Sequence, residues 1–232
     1  MLTWLFDLDN TLHDASHAIF PAINQNMNRF IAQVLGTPGQ PASAADVDAA
    51  RIGYWKRYGA TLLGMVKHHD VRQEDFLHAA HQFDDLASMI RTEPGLRALL
   101  RRLPGRKILL TNAPARYANA VMRQLGLQRH FDRSVSIESM RVHRQLRPKP
   151  SRAMLRQLLA RDKLQAHRCV LVEDTPVNLK AAHRLGVRTV WLTRYVQARL
   201  PGAASSFIKR PPFVDVKVKS LKQLSGQLHR LR

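Results

Sequence analysis

Five short apolar runs, Leu2–Phe6, Lys107–Thr111, Ser134–Ile137, Cys169–Val172 and Thr189–Leu192, constrain this chain more than any other feature. Helical stretches near 94–103, 114–126, 151–161 and 176–185 separate the later runs. Runs this short suit buried strands better than helices, and strand alternating with helix predicts an α/β fold, a parallel sheet covered on both faces. In such sheets the chemistry gathers beyond the carboxyl ends of the strands, so those ends are the places to look for functional residues.

The interval between the first two runs reads differently. Ile19, Ile23, Met27, Phe30, Ile31 and Val34 recur three and four apart over 17–35, the stripe of an amphipathic helix, and Gly36 stops it. Pro38 to Ser43 reads as a loop, and 44–66 and 73–90 as further helices. Charge divides the chain at the same places. Residues 13–90 hold six Lys/Arg against eight Asp/Glu, whereas the remainder holds 31 against nine. Two units are expected: an α/β core of 1–12 and 91–232, and an all-helical insert of 13–90. The tail, with Pro201-Gly202, Pro211-Pro212, the alternating Phe213–Val218 and a basic stretch from Ser220, predicts a loop, an edge strand and a closing helix.

Composition narrows the setting. With 45% hydrophobic and 23% charged residues the chain is globular rather than disordered or fibrous. One cysteine, Cys169, excludes an internal disulfide and fits a reducing compartment. The first apolar run is broken by Asp7 and Asp9, too early for a signal core or membrane span, so a cytoplasmic location and no membrane partner are expected. A net charge of +20 attracts anions of many kinds. The Arg-rich stretch 141–168 raises nucleic acid as a partner, but it lacks the interleaved aromatic platform of a single-strand binder.

The strand ends carry the chemistry. Strand one ends in Phe6-Asp7-Leu8-Asp9-Asn10-Thr11-Leu12, where two carboxylates two residues apart crowd like charges that a cation would relieve. Leu110-Thr111-Asn112 offers a hydroxyl and an amide to phosphoryl oxygens just before a helix, whose start favours anions. Lys149, between Pro148 and Pro150, stands immediately before another helix. Glu173 and Asp174 follow Leu171-Val172, a second carboxylate pair suited to a hard cation such as Mg²⁺.

These four strings, in this order, resemble the motifs of the haloacid dehalogenase superfamily. The resemblance implies a Rossmann-like core with an all-helical cap of the C1 type inserted after the first strand. It further implies Asp7 as nucleophile, Asp9 as general acid and base, and Thr111, Asn112 and Lys149 on the phosphate. Mg²⁺ would be held by Asp7, the backbone carbonyl of Asp9 and Asp174, with Glu173 in or near its shell. Within the superfamily, Asp9-Asn10-Thr11-Leu12-His13, the cap string Tyr58 to Gly64 and Leu110 to Pro114 are similar to bacterial pyrimidine 5′-nucleotidases, which implies UMP or CMP as substrate. Phosphoglycolate or a sugar phosphate is the alternative substrate, whereas Asp9 argues against dehalogenation. Asn178, one turn beyond Asp174, is placed to orient that carboxylate. The histidines His13, His17, His68, His69, His78 and His81 match no zinc spacing and are expected to be solvated or packing residues.

Overall fold

The computed structural model describes residues 1–197 and 209–231, so the expected turn at Pro201-Gly202 lies outside the described residues. In chain order the elements are β1 (Thr3–Phe6), α1 (Ile19–Leu35), α2 (Ala44–Tyr58), α3 (Thr61–His68), α4 (Gln73–Ala80), α5 (Leu86–Met89), α6 (Leu96–Arg102), β2 (Arg106–Leu110) and α7 (Ala115–Leu125). They continue with β3 (Arg133–Val135), β4 (Arg141–Val142), β5 (Gln145–Leu146), α8 (Arg152–Arg161), β6 (Cys169–Glu173), α9 (Pro176–His183), β7 (Arg188–Leu192), α10 (Arg194–Gln197), β8 (Val216–Val218) and α11 (Leu221–Leu224).

Six strands form one sheet in the order β3-β2-β1-β6-β7-β8, and every neighbouring pair is parallel. This is the Rossmann-like α/β fold. All residues of β1 and β6 are buried, as expected for central strands covered on both faces, which explains why they read as unbroken apolar runs. Leu5, Ile108, Leu171 and Trp191 from four strands pack with Met154, Leu155 and Leu158 of α8 in one core cluster. Cys169 joins it, and burial pushes its thiol up to about 11, so it is an inert core residue.

The chain divides into two compact units, one of residues 1–16 with 90 onward and one of residues 17–89. His13 to Ser16 belong with the sheet because local bonds hold them there: Asp14 N–H donates to the Arg91 carbonyl at 2.7 Å, and Ser16 N–H to Asn10 Oδ1 at 3.0 Å. Residues 17–89 are helical. Gly36 ends α1 through close packing rather than a left-handed turn; a Cβ there would sit 2.4 Å from the Gln40 carbonyl oxygen. The single helix expected over 44–66 is two, because Gly59 adopts φ +81° and closes α2 before α3 begins. The span 73–90 likewise yields α4 and the one-turn α5.

The β4–β5 hairpin has no counterpart in the sequence reading. Its turn uses His143 (φ 49°) and Arg144 (φ 64°), a primed turn made without the Gly or Asn that would have announced it. In the tail, β8 is the parallel edge strand beside β7, and α11 runs on into a tighter 3-10 turn over Ser225–Leu231.

Candidate active site

Because β1 lies between β2 and β6, the residues that follow these three strands emerge side by side at one end of the sheet. Asp7 follows β1, Thr111 follows β2, and Glu173 ends β6 with Asp174 after it. The loop after β1 turns back at once: the Thr11 and Leu12 N–H groups both donate to the Leu8 carbonyl. Asn10 supplies the left-handed residue of this turn at φ 59°, a conformation Asn tolerates, while its Oδ1 accepts from the backbone and hydroxyl of Ser16. The string Asp-Asn-Thr-Leu therefore serves the local fold, whatever chemistry it also carries.

Asp7 is buried, its backbone N–H donating to the Val172 carbonyl at 3.0 Å. Lys149 Nζ donates to Asp7 Oδ1 at 2.6 Å and to Glu173 Oε2 at 2.8 Å, and Thr11 Oγ1 donates to Asp7 Oδ2 at 3.1 Å. Burial, then the charge of Glu173, pushes Asp7 up to about 7; burial also pushes Glu173 up to about 7 against the pull of Lys149. Asp174 is raised by burial and by Asp7. Burial draws Lys149 down, but Asp7 and Glu173 outweigh it and hold the ammonium firmly protonated.

Three carboxylates around one ammonium leave this corner anionic. Asp7, Glu173 and Asp174 each offer an oxygen within 4.8 Å of the others, the one such group of potential metal ligands among the described residues. An all-oxygen, electron-rich donor set fits a hard divalent cation such as Mg²⁺, which would offset the burial and the mutual repulsion that raise these acids.

Several of the expected site residues already have partners within the protein. Asn112 was expected on the phosphate, but its side chain grips Lys149 by both backbone groups: Asn112 Nδ2 donates to the Lys149 carbonyl at 3.0 Å, and Lys149 N–H donates to Asn112 Oδ1 at 2.9 Å. The start of α7 was expected to favour an incoming anion. Its Ala115 N–H already donates to both carboxylate oxygens of Glu138, so the protein's own acid occupies it. Thr111 is buried, its Oγ1 accepting from Ala113 N–H at 3.0 Å. Asn178 makes no side-chain bond to Asp174; Thr175 Oγ1 donates to Asp174 Oδ1 at 3.0 Å instead, and Trp191 Nε1 donates to the Asp174 carbonyl at 2.9 Å.

Two residues near Asp9 escaped the sequence reading. Tyr117, on α7, donates its hydroxyl to Asp9 Oδ1 at 2.6 Å. His13, fully buried, brings Nε2 to 3.0 Å from the same oxygen. Tyr117 lay hidden because Ala118, Val121, Met122 and Leu125 share its buried face, and an aromatic in that stripe reads as core. Of the other histidines, His68 and His69 pair with the hydroxyls of Tyr58 and Tyr54 in the helical unit.

A family profile described as haloacid dehalogenase-like hydrolase matches residues 1–186. Among solved structures, a HAD phosphatase from Thermococcus onnurineus is similar at 17% identity and TM-score 0.64, covering 98% of each chain. A 2-haloacid dehalogenase from Pseudomonas syringae pv. Tomato DC3000 is similar at 22% identity and TM-score 0.60 over the full length of both chains. YfnB of Bacillus subtilis, assigned as a HAD hydrolase and bound to magnesium, is similar at 15% identity and TM-score 0.59, covering 98% of each. At these identities the likeness is one of fold, and it spans phosphatase and dehalogenase alike. Among the described residues no helix is long and apolar enough to cross a membrane.

Proposed function

Since the chain belongs to the haloacid dehalogenase-like hydrolases, we propose that it is a magnesium-dependent phosphomonoester hydrolase working through an aspartyl-phosphate, with a pyrimidine nucleoside 5′-monophosphate as substrate. The observation that carries the choice of phosphatase over dehalogenase is Asp9. A second carboxyl, separate from the Asp7–Lys149–Glu173 network and held by Tyr117 and His13, is what a reaction with an alkoxide leaving group requires. Displacing a halide from carbon needs no such acid.

In this reading an Asp7 carboxylate oxygen attacks phosphorus and the bond from phosphorus to the substrate oxygen breaks. Asp9 gives its proton to that departing oxygen. In the second half Asp9, now ionised, takes a proton from water as the water oxygen attacks phosphorus, and the bond to Asp7 breaks. Splitting hydrolysis into two displacements lowers each barrier, and a positioned acid and base contributes on the order of 10²–10⁴ in rate. Lys149 and Thr11 fix both oxygens of Asp7, so the nucleophile is oriented before substrate arrives. Lys149 and Thr111 also meet charge on the transferring phosphoryl group, whereas Asn112 acts by fixing Lys149.

Asp7, the Asp9 backbone carbonyl and Asp174 would hold Mg²⁺, with Glu173 bound to Lys149 beside it; when bound, the ion offsets repulsion between an anionic nucleophile and an anionic phosphate. The nucleotide preference rests on the strings 9–13, 58–64 and 110–114. It is tested by phosphate release from UMP, CMP, dTMP, AMP, GMP, phosphoglycolate and sugar phosphates, with magnesium and with chelator. Selective release from pyrimidine monophosphates is expected, and preference for a non-nucleotide would replace the substrate while keeping the chemistry. Asp7→Asn is expected to abolish turnover with an unchanged circular dichroism spectrum; an active variant would end the covalent mechanism.

A further inference from the structure

One oxygen of Asp9, Oδ1, is engaged twice over, which proton transfer by a carboxyl does not by itself require. Tyr117 and His13 come from different parts of the sheet unit, 104 positions apart in sequence, yet both converge on Asp9 Oδ1. Both are buried, His13 completely and Tyr117 to within 3% of full burial. Burial and the neighbouring Asp9 raise the Tyr117 hydroxyl well above its ordinary range, so it stays a donor throughout the useful pH range. The His13 ring leaves Nδ1 buried without a hydrogen-bond partner. A fully buried imidazole with one unsatisfied nitrogen is a poor stabilising choice where Leu or Phe would pack.

We infer that Tyr117 and His13 are positioning residues that fix the protonation geometry of Asp9: by donating to Oδ1 they direct its transferable proton to Oδ2. The inference rests on the reading of Asp9 as general acid and base. A carboxyl free to rotate or to exchange its proton between oxygens presents a competent geometry only part of the time. Two donors on one oxygen remove that freedom, because an oxygen already accepting from two N–H or O–H groups is the weaker site for a proton. The tautomer this requires of His13 carries hydrogen on Nε2, and the unpaired Nδ1 is then an acceptor, less costly to bury bare than a donor N–H.

The signature is in the leaving group. An acid matters most when the departing oxygen is strongly basic and least when it is stable as an anion. The experiment measures kcat and kcat/KM for a series of substituted phenyl phosphates from 4-nitrophenyl to 4-methoxyphenyl, together with UMP, in magnesium. Native protein, Tyr117→Phe, His13→Phe and Asp9→Asn are compared. Tyr117→Phe is expected to lose about tenfold on the most basic leaving groups, a fraction of the 10²–10⁴ supplied by the acid, and less than about twofold on 4-nitrophenyl phosphate. His13→Phe is expected to show the same tilt while keeping or raising the melting temperature, since it removes the orphaned nitrogen. A uniform loss across the series in both variants would make the two residues merely structural and overturn the inference. A tilt in Asp9→Asn with none in Tyr117→Phe or His13→Phe would overturn it while leaving the acid in place. A flat Asp9→Asn profile would remove the acid role and the inference with it.

Discussion

The two units of this chain spend their polar residues in opposite ways. In the sheet unit Asp7, Thr11, His13, Thr111, Lys149 and Glu173 are buried, all clustered near the strand ends. In the helical unit the only buried polar side chain among the described residues is Gln73, while pairs such as Arg72–Asp75 stand in solvent. A buried pair cannot lose one partner without leaving an uncompensated charge, whereas a solvated pair is replaced by water. The contrast teaches where function constrains the sequence: the sheet unit keeps expensive groups that stability alone would discard.

Lys149→Ala probes this most severely. It leaves Asp7 and Glu173 facing each other without their shared cation, and the expected cost is about 3–5 kcal/mol in denaturant unfolding without magnesium; a loss below about 1 kcal/mol would show that these carboxylates do not depend on Lys149. A pH comparison sharpens the contrast further. Asp7, ordinarily near 3.8, titrates at about 7 when folded, so the folded chain holds more protons than the unfolded chain between those values. Stability from this group is full below about pH 4 and is lost as pH rises through 7. In chelator, the melting temperature of Asp7→Asn should therefore gain on that of the native chain as pH climbs from 4 to 8, and magnesium should close the gap. A difference independent of pH would contradict the crowding. The smallest effect belongs to the helical unit: Ser43 Oγ caps α2 by accepting from Asp46 N–H at 3.2 Å, and Ser43→Ala should cost about 1 kcal/mol with unchanged kcat.

The same contrast explains what the sequence made legible. Strand ends of the sheet were readable because a run buried on both faces is apolar throughout, so Asp7, Glu173 and Asp174 interrupt it visibly. Lys149 was readable as a position but not as the partner of Glu173, since nothing local links a loop before α8 to the end of β6. Tyr117 was lost because an amphipathic stripe gives no sign of which hydroxyl points to a distant carboxylate. The hairpin turn at His143-Arg144 was lost for a different reason: tertiary packing imposed left-handed residues where propensity would not place them. In the helical unit the stripe of α1 fixed that helix, but the break at Gly59 required knowing that this glycine takes φ +81°.

Trp191 adds something of a different order. Its indole N–H is bonded to the carbonyl of Asp174, with Lys217 Nζ 4.8 Å from the ring centroid, whereas Trp4 lies in the core with its N–H on Pro104 and Trp55 is exposed. Indole emission responds to the field along that N–H bond. With Asp174 holding the cation as proposed, this indole becomes a native optical sensor: once Trp55→Phe silences the exposed fluorophore, emission is expected to shift as magnesium is titrated, with no label and no turnover.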